Sequence, residues 1–418
     1  MARLRAVHKV HRVHLVHLAF FLLLALATAG AAAADAAPTL DQVLERHVAA
    51  LGGAEALAGV ESVELSGSYV AFSEEGPFTL RRARPNLYRF DYQMLGESLS
   101  EGYDGETAWT RHPLMGITAP APMNAHEKTA VLGDAEMFGP LASAAERGHE
   151  LTLVGLSDFD GIEAYEVKVV RADGGEETWY LDASTYLPVG RLSPTTDWGQ
   201  PHPQKTFFDD WRQVSGVKLP HYVESEFFIR HRVLTVTEAK VNGGLDRALF
   251  ALPVPEPMRR LALAGDYQVA VEAKAAPVPQ APWVPSAGGA SFTPEAHGAL
   301  LVERLAYTEQ DRPTAALRTW SWDAAAETYR VTHYDDVGGR TQVLQGKAGE
   351  EGKLVLTDLE TGTALKLGDQ TFHTRWTVSD FGADGMRVEV AVSSDGGETW
   401  AETTRFAYGR PTAPRPPA

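Results

Sequence analysis

A stretch of alternating residues between Asn86 and Gly116 constrains the fold more than any other part of this sequence. Large apolar side chains occupy every second position of its first half, at Tyr88, Phe90, Tyr92 and Met94. In an extended strand such residues point to one face. Asp104-Gly105 is a hairpin signal, and a further strand carries Trp109 and ends at His112-Pro113. The stretch predicts an antiparallel meander with one crowded apolar face.

The composition narrows the class of protein. The chain has 418 residues, enough for two or three domains, and its 44% hydrophobic and 22% charged residues are typical of a globular protein. It contains no cysteine, which excludes disulfides, thiolate metal sites, thiol nucleophiles and a lipid-modified N-terminal cysteine. Its formal net charge of −17 disfavours nucleic acids and anionic membrane surfaces as partners.

Residues 1–37 have the pattern of a secretory signal peptide. Four basic residues precede the apolar run Leu18–Ala29, which is shorter than the ~20 residues of a membrane-spanning helix. Small residues around Ala34 offer cleavage sites. Cleavage there removes four positive charges and changes the net charge from −17 to −21. The pattern predicts a periplasmic or secreted protein that is not a lipoprotein and has no transmembrane segment after cleavage.

The rest of the first half predicts an α+β, mainly β structure. Helices are expected at Leu40–Leu51 and Ala54–Ala58, followed by strands from Ser62 onward. Asn124–Arg147 lacks alternation and predicts two short helices broken at Gly139-Pro140. Strands then resume as far as Val241, for a total of eleven or twelve. An antiparallel sheet of this length must curl, so it has a concave face.

The second half predicts a linker and a smaller domain. Proline, alanine and valine dominate residues 253–285, so residues 256–290 are expected to form an extended linker or a surface loop. Short strands separated by turn signals follow over residues 291–408 and suggest a small antiparallel meander barrel. The proline-rich tail, residues 409–418, is expected to be disordered.

No stretch of the sequence carries a strong catalytic or metal-binding motif. Asp209 and Asp210 are adjacent on a strand, so their carboxylates point to opposite faces and cannot act together. His333 and His373 are expected to be barrel-wall residues, although a meeting of the two inside the second domain would suit a metal or haem. We therefore expect no catalytic residues, no metal and no cofactor.

Several motifs, in the same order, resemble the bacterial outer-membrane lipoprotein-sorting protein group, which is related to the LolA-type lipoprotein carriers. They include PFTLRRARPNLYRFDY, GYDGETAWTRHPLMG, YLDASTYLPVGR and FFDDWRQVSGVKLPHYVES, and the resemblance covers about Leu44 to Pro253. It implies that residues 38–255 form an unclosed antiparallel β-barrel of about eleven strands, with a helical lid over a hydrophobic cavity. The motifs YRVTHYDDVGGR and SSDGGETW make residues 291–408 similar to an uncharacterised family of lipocalin-like barrels.

The resemblance also implies a set of ligand-cavity residues. The concave wall is expected to supply Tyr88, Phe90, Tyr92, Met94 and Trp109, and the lid Leu114, Met115, Met137 and Phe138. Methionine suits a site that adapts to flexible chains. In the carriers an arginine that faces the cavity is important for lid closure, and Arg82, Arg84 and Arg89 are the candidates here.

Three functional hypotheses follow. The leading one is an exported, non-enzymatic protein that binds a lipid, the acyl chain of an acylated protein or another hydrophobic ligand. The second is a structural or protein-interaction module of the cell envelope with no ligand, in which side chains fill both cavities. An enzyme is the third, and it needs a polar constellation that the sequence does not show.

Overall fold

The structure is a computed structural model that describes residues 37–411 except for 198, 229, 277, 279, 310, 350 and 351. The predicted signal peptide, apart from residue 37, and most of the predicted tail lie outside the described residues. From Thr39 onward, the described residues belong to one compact unit. Strands dominate this unit, and each strand pairing within the described residues is antiparallel. The predicted fold class, mainly β with a few helices, is confirmed.

The helices and strands have the following bounds. The helices of the described chain are α1 (Leu40–Leu51), α2 (Ala54–Ala58), α3 (Ala125–Ala135), α4 (Pro140–Arg147) and α5 (Glu256–Leu261). The first sheet contains β1 (Ser62–Ala71), β2 (Glu74–Ala83), β3 (Leu87–Met94), β4 (Glu97–Tyr103), β5 (Ala108–His112), β6 (Ile117–Pro122), β7 (Glu150–Phe159), β8 (Ile162–Val170), β9 (Glu176–Asp182), β10 (Pro188–Asp197), β11 (Gln200–Val214), β12 (Val217–Phe227) and β13 (Arg230–Val241). The second sheet contains β14 (Gly265–Lys274), β15 (Trp283–Glu295), β16 (Leu300–Glu309), β17 (Arg312–Asp323), β18 (Thr328–Asp335), β19 (Thr341–Ala348), β20 (Leu354–Thr357), β21 (Leu365–Leu367), β22 (Gln370–Gly382), β23 (Gly385–Ser393) and β24 (Ala401–Gly409).

The first helix begins and ends where local chemistry requires. The Thr39 hydroxyl accepts a hydrogen bond from the Gln42 backbone, and the Gln42 side chain accepts one from the Thr39 backbone (3.4 and 3.0 Å). This capping box satisfies two free N–H groups. The helix ends at Gly52, whose φ of +131° disfavours other residues. The predicted bounds of α1 are therefore confirmed.

The first sheet is open. Its strand order is β6-β5-β4-β3-β2-β1-β13-β12-β11-β10-β9-β8-β7, so β6 and β7 form its two edges. The chain crosses from one edge to the other through α3 and α4, the two helices predicted in Asn124–Arg147. Helix α3 contacts β3, β4 and β5 on one side and β10 and β11 on the other. The helix therefore lies across the concave face, where a lid was expected.

The second sheet closes into a ring. Strands β14 to β20 and β22 to β24 follow one another by pairing, and contact between β20 and β22 completes a ten-stranded barrel in the described chain. The short strand β21 pairs with β22 outside the ring. Trp320, Trp376 and Phe406 are buried in its core.

A buried ion pair lies in the core of this ring. Arg318 donates from Nη1 to Glu303 (3.0 Å) and to the hydroxyl of Tyr408 (2.8 Å), and the Trp320 indole donates to Glu303 (2.9 Å). The guanidinium also lies 4.5 Å from the centre of the Trp376 ring. Both charges are fully buried, which is tolerated only when they are paired and hydrogen-bonded.

The prediction of a linker over residues 256–290 is wrong. This segment contains α5, β14 and the first part of β15, and β14 and β15 are neighbouring strands of the ring. Tyr267, Val269 and Val271 alternate as buried residues along β14. The bulk composition of proline and alanine hides this period of two. The second barrel therefore begins at residue 265 and not at residue 291.

Trp109 lies on the convex face of the first sheet, so its prediction as a cavity residue is wrong. Arg89 pairs with Gly102, and Gly102 pairs with Trp109, which places all three on the face opposite Phe90. The indole donates to the carbonyl of Phe250 (2.8 Å), and Arg89 donates to the carbonyl of Leu249 (2.8 Å). Trp109 therefore anchors the chain that leads to the second barrel.

The same connecting chain also packs on the second barrel. Met258 and Leu261 of α5 belong to the buried core of the ring. The hydroxyl of Tyr329 donates to the carbonyl of Pro257 (2.9 Å). Residues 247–261 therefore contact both sheets.

The contact between Trp109 and Gly102 gives a stability prediction. A Cβ on Gly102 would lie 2.6 Å from the Trp109 ring, whereas a Cβ on Gly382 would meet no atom within 4 Å. We expect Gly102→Ala to lower the free energy of unfolding by about 1–3 kcal/mol through overpacking. The matched control Gly382→Ala is expected to change it by less than ~1 kcal/mol. Urea unfolding of both variants measures the difference, and equal effects would contradict the position of the Trp109 ring.

Candidate functional site

The concave face of the first sheet encloses a cavity of about 260 Å³. An aromatic cluster forms part of its wall. The rings of Phe90 and Tyr92 stack with centroids 4.7 Å apart, and Tyr69 lies 4.8 Å from Tyr92. Leu51 at the end of α1 and Leu219 of β12 extend the apolar wall. This region offers a surface suited to an apolar ligand.

The structure places the predicted cavity residues in two groups. Those that line the cavity are Tyr88, Phe90, Tyr92, Met115, Met137 and Phe138. Met94, Leu114 and Trp109 lie elsewhere. Met94, the last residue of β3, is buried in a cluster with Phe78 and Leu99, and Leu114 sits in an exposed turn. Alternation placed Met94 on the correct face but could not show that the cavity ends before it.

Asp134, in the last turn of α3, ties the helix to the sheet. Its carboxylate accepts a hydrogen bond from Arg191 of β10 (2.7 Å), and its backbone carbonyl accepts one from Arg82 of β2 (2.7 Å). Of the three arginines considered from the sequence, Arg82 is therefore the one that faces the cavity and reaches the lid. Arg84 instead donates to the carbonyls of Leu57 and Val60, and Arg89 lies on the convex face.

A third arginine holds the middle of α3. Arg171, which follows β8, donates to the carbonyl of Thr129 (2.6 Å) and pairs closely with Glu177. The other oxygen of Glu177 accepts from the Trp179 indole (2.8 Å). A Cβ at Gly133 would lie 2.4 Å from the Arg171 guanidinium, so glycine permits this close approach. Charge-assisted hydrogen bonds therefore hold the lid helix both at its middle and at its end.

Glu101 places an unusual carboxylate in the cavity wall. It lies opposite Phe90 in the sheet, and its oxygen accepts a hydrogen bond from the hydroxyl of Tyr88 (3.0 Å). Burial, reinforced by repulsion from Asp134, raises the pKa of Glu101 to about 7. This group therefore changes its charge near neutral pH.

The lining as a whole is amphipathic. Apolar side chains line the part of the cavity around Tyr92 and Leu219. Arg82, Glu101 and Asp134 form a charged band where α3 meets the sheet. Arg191 and Arg232 border the same space. Such an arrangement can bury an apolar chain and offer hydrogen bonds to a polar group attached to it.

The residues considered for catalysis are engaged in local structure. Asp210 has a φ of +51° and pairs with Arg212 (2.6 Å) on the surface. His333 accepts a hydrogen bond from Arg318 (3.2 Å) and lies 3.3 Å from Asp335. His373 lies 3.2 Å from Asp358. Each histidine is thus accounted for by its own neighbours in the barrel wall.

One cluster brings together groups that can ligate a metal. Ligand atoms of Glu224, Glu226 and His231 lie within 4.8 Å of one another on the hairpin of β12 and β13. The hydroxyl of Tyr222 already donates to Glu224 (2.6 Å), and His231 pairs with the other oxygen of that carboxylate. We interpret the cluster as a pairing network on an exposed surface.

Sequence reasoning missed Glu101, Asp134 and Arg191. Glu101 alternates with Leu99 and Tyr103 along β4, so an acidic residue on an apolar face was the available signal. No comparable signal exists for the other two. Asp134 and Arg191 are 57 positions apart, and only the path of α3 across the sheet brings them together.

The raised pKa of Glu101 predicts a pH dependence of stability. Because the folded pKa of about 7 exceeds the ordinary value of 4.5, the unfolded chain releases this proton first as the pH rises. The free energy of unfolding therefore falls between pH 4.5 and 7, by about 3 kcal/mol for this group, and stays lower above pH 7. We expect Glu101→Gln to remove this decrease and to be more stable than the parent at pH 8.

Urea unfolding at a series of pH values measures the effect. The matched control is Glu97→Gln, which changes an exposed glutamate at the start of the same strand. It is expected to keep the pH profile of the parent. A profile of Glu101→Gln that coincides with that of the parent would contradict the buried position of the Glu101 carboxylate.

In the part of the chain that the structure describes, no helix has the length and hydropathy needed to cross a membrane. No protein-family model matches the sequence, and no curated protein matches it.

Solved structures do show similarity. A LolA superfamily protein from Nitrosomonas europaea is 12% identical with a TM-score of 0.36, covering 51% of this chain and 98% of its own. A DUF1329 family protein from Desulfovibrio piger is 11% identical with a TM-score of 0.32, covering 51% and 97%. The MucA/MucB complex of Pseudomonas aeruginosa gives 13% identity and a TM-score of 0.19, covering 88% and 94%. The first of these is a LolA superfamily protein, and the N-terminal motifs resemble a group that is related to the LolA-type carriers.

Proposed function

We propose that this chain is an exported, non-enzymatic binding protein that holds a lipid, an acyl chain of an acylated protein or a similar hydrophobic ligand in the half-barrel cavity. One observation carries the proposal. The cavity has an aromatic and aliphatic wall, and the helix that covers it is held to the sheet by arginine hydrogen bonds as well as by the buried side chains of Val131 and Ala135.

The energetics of burial support this function without any chemistry. Covering ~300 Å² of alkyl surface at ~25 cal/mol/Å² gives about 7 kcal/mol before the costs of association. This gross gain alone corresponds to a dissociation constant of about 10 μM, so after the costs of association burial of the alkyl surface gives weak binding, which suits a carrier that must release its ligand. This contact would come from Phe90 and Tyr92 of β3. Met137 and Phe138, in the segment between α3 and α4, would add to it.

The charged band supports a ligand with one polar end. Arg82 and Arg191 already bond to the lid, while Arg232 of β13 also borders the cavity. A carboxylate or phosphate end group would meet these guanidinium groups. Glu101, with its pKa near 7, would then repel an anionic end group more strongly as the pH rises.

The setting of this function follows from the sequence. The signal-peptide pattern of residues 1–37 supports a periplasmic or secreted location. The resemblance to the lipoprotein-sorting group also supports an apolar ligand, because acyl chains occupy the corresponding cavity in those carriers. Both the signal-peptide pattern and the resemblance are independent of the cavity geometry.

One observation favours a second candidate, a protein-interaction module of the cell envelope. Strand β7 ends the first sheet, and it exposes Val154 and Leu156 by about half of their surface. An extended peptide can add to such an edge. However, β7 carries a bulge between Leu153 and Gly155, a device that also discourages pairing at sheet edges.

A substitution that fills the cavity tests the leading function. Ala130 of α3 lines the cavity, so Ala130→Phe is expected to place a ring in the space that the ligand needs. The affinity for a fluorescent fatty acid should fall about tenfold or more. The matched control Ala125→Phe lies on an exposed position of the same helix and should leave the affinity unchanged. Residues 35–418, the predicted mature chain, are the protein to use.

Native mass spectrometry of the same chain, isolated from its export compartment without detergent, provides a second readout. A mass excess that chloroform extracts would support the proposal and identify the ligand. A chain that carries no extra mass and takes up no fluorescent fatty acid contradicts it and favours the interaction module. Equal affinities of the two phenylalanine variants would contradict the cavity as the binding site.

A further inference from the structure

Four neighbouring hairpins of the first sheet end at the same rim. In sheet order their turns are Pro113–Met115 between β5 and β6, Leu95–Gly96 between β3 and β4, Phe72–Ser73 between β1 and β2, and Phe228 between β12 and β13. Adjacent turns are two strands apart, or ~10 Å. We call this edge the apolar rim.

Each of these turns exposes a large apolar side chain. Phe228 is 78% exposed, Phe72 52%, Leu95 46% and Leu114 37%. Single exposed apolar residues are common on protein surfaces and need no explanation. A row of four at successive turns of one rim does need one.

The backbone at these positions makes the choice of residue more unusual. Phe72, Leu95 and Phe228 have φ values of +52°, +52° and +54°. This left-handed region favours glycine, asparagine and aspartate, and bulky apolar residues are strained there. Phe72 lies beside the Arg230 guanidinium and Phe228 beside the His202 ring, but both side chains remain more than half exposed. Neither burial nor turn geometry therefore explains the choice of residue.

The opposite rim of the same sheet provides an internal comparison. Its turns carry Asp104-Gly105, Asp160-Gly161 and Ser215-Gly216, the residue types that tight turns favour. Tyr186, an aromatic residue of that rim with a positive φ, is stacked on Tyr165 with centroids 5.4 Å apart. Ile162, beside the Asp160-Gly161 turn, is also exposed by 39%, but it begins strand β8, whereas the apolar rim carries its exposed apolar residues in the turns themselves.

The apolar rim is continuous with the cavity. Met115 belongs to one of its turns and lines the cavity, and Gly199, in the next turn beyond Phe228, also lines it. The opposite end of the half-barrel is covered by α1 and α2, where Ala56 approaches Gly216. A ligand that enters from the apolar rim would pass directly from the turns into the cavity.

We propose that the apolar rim docks on the surface of a lipid bilayer by inserting these four side chains, and that the hydrophobic ligand is exchanged there. A row of separate side chains fits a soft apolar interior better than it fits a rigid protein groove. The surrounding charges favour neutral lipids. Glu74, Glu75 and Glu97 are exposed beside the turns, and Arg230 already pairs with Asp197 (2.6 Å).

Vesicle flotation tests this inference with residues 35–418, because the apolar run Leu18–Ala29 would itself bind membranes. We expect the chain to float with neutral vesicles of phosphatidylcholine and phosphatidylethanolamine, with no gain from anionic lipid and little effect of salt. The triple variant Phe72→Asn, Leu95→Asn, Phe228→Asn should bind these vesicles more weakly, by a factor of about ten or more. Because asparagine tolerates a positive φ, the free energy of unfolding of the triple variant should equal or exceed that of the parent.

The matched control is Val154→Ser with Leu156→Ser, which removes exposed apolar surface from the β7 edge and should float as the parent does. A parent chain that fails to float, or a triple variant that floats equally well, overturns the inference. Self-association of the parent that the triple variant abolishes, without flotation, would instead assign the rim to a contact between copies.

The inference extends the proposed function, and the two can fail separately. If rim docking is right, Ala130→Phe still floats with vesicles whether or not it binds fatty acid. If the cavity function is right, the triple variant still takes up fluorescent fatty acid added in free solution.

Discussion

The half-barrel depends on the hydrogen bonds that Asp134 accepts from two arginines on distant strands. The sheet curls but does not close, so its aromatic concave face would meet water without a cover. Helix α3 supplies that cover, and Arg82 and Arg191 fix its end from opposite sides. Polar ties of this kind hold a helix at a set height without filling the space beneath it. The same ties can break without disturbing the pairing of the strands.

The two sheets deal in different ways with the unpaired backbone groups at the edges of a sheet. The second sheet pairs β20 with β22 and so has no free edge within its ring, and its interior is filled by tryptophans and by the pair of Arg318 and Glu303. The first sheet keeps its edges apart and bridges them with helices, which leaves a hollow. A closed, filled ring suits a structural role, whereas the hollow suits a ligand.

Trp109 shows how the two parts are joined. An indole buried on the convex face, with its N–H donated to Phe250, fixes the start of the chain that crosses to the second barrel. The sequence predicted a tryptophan on a short strand but not the face to which it points. Its orientation follows from register: two pairings through Gly102 place it beside Arg89. A shift of one residue would have turned it into the cavity.

The sequence by itself determined many of the elements of the first half. Capping residues and glycines set α1, Gly139-Pro140 separated α3 from α4, and alternation identified the strand with Tyr88, Phe90 and Tyr92 facing inward, because these signals act over a few residues. Only the tertiary structure decided which edges stay open, which arginine reaches the lid, that residues 265–290 complete a ring, and which side chains meet at the cavity and at the apolar rim. Those outcomes depend on pairings between residues far apart in the chain, and no local pattern records them.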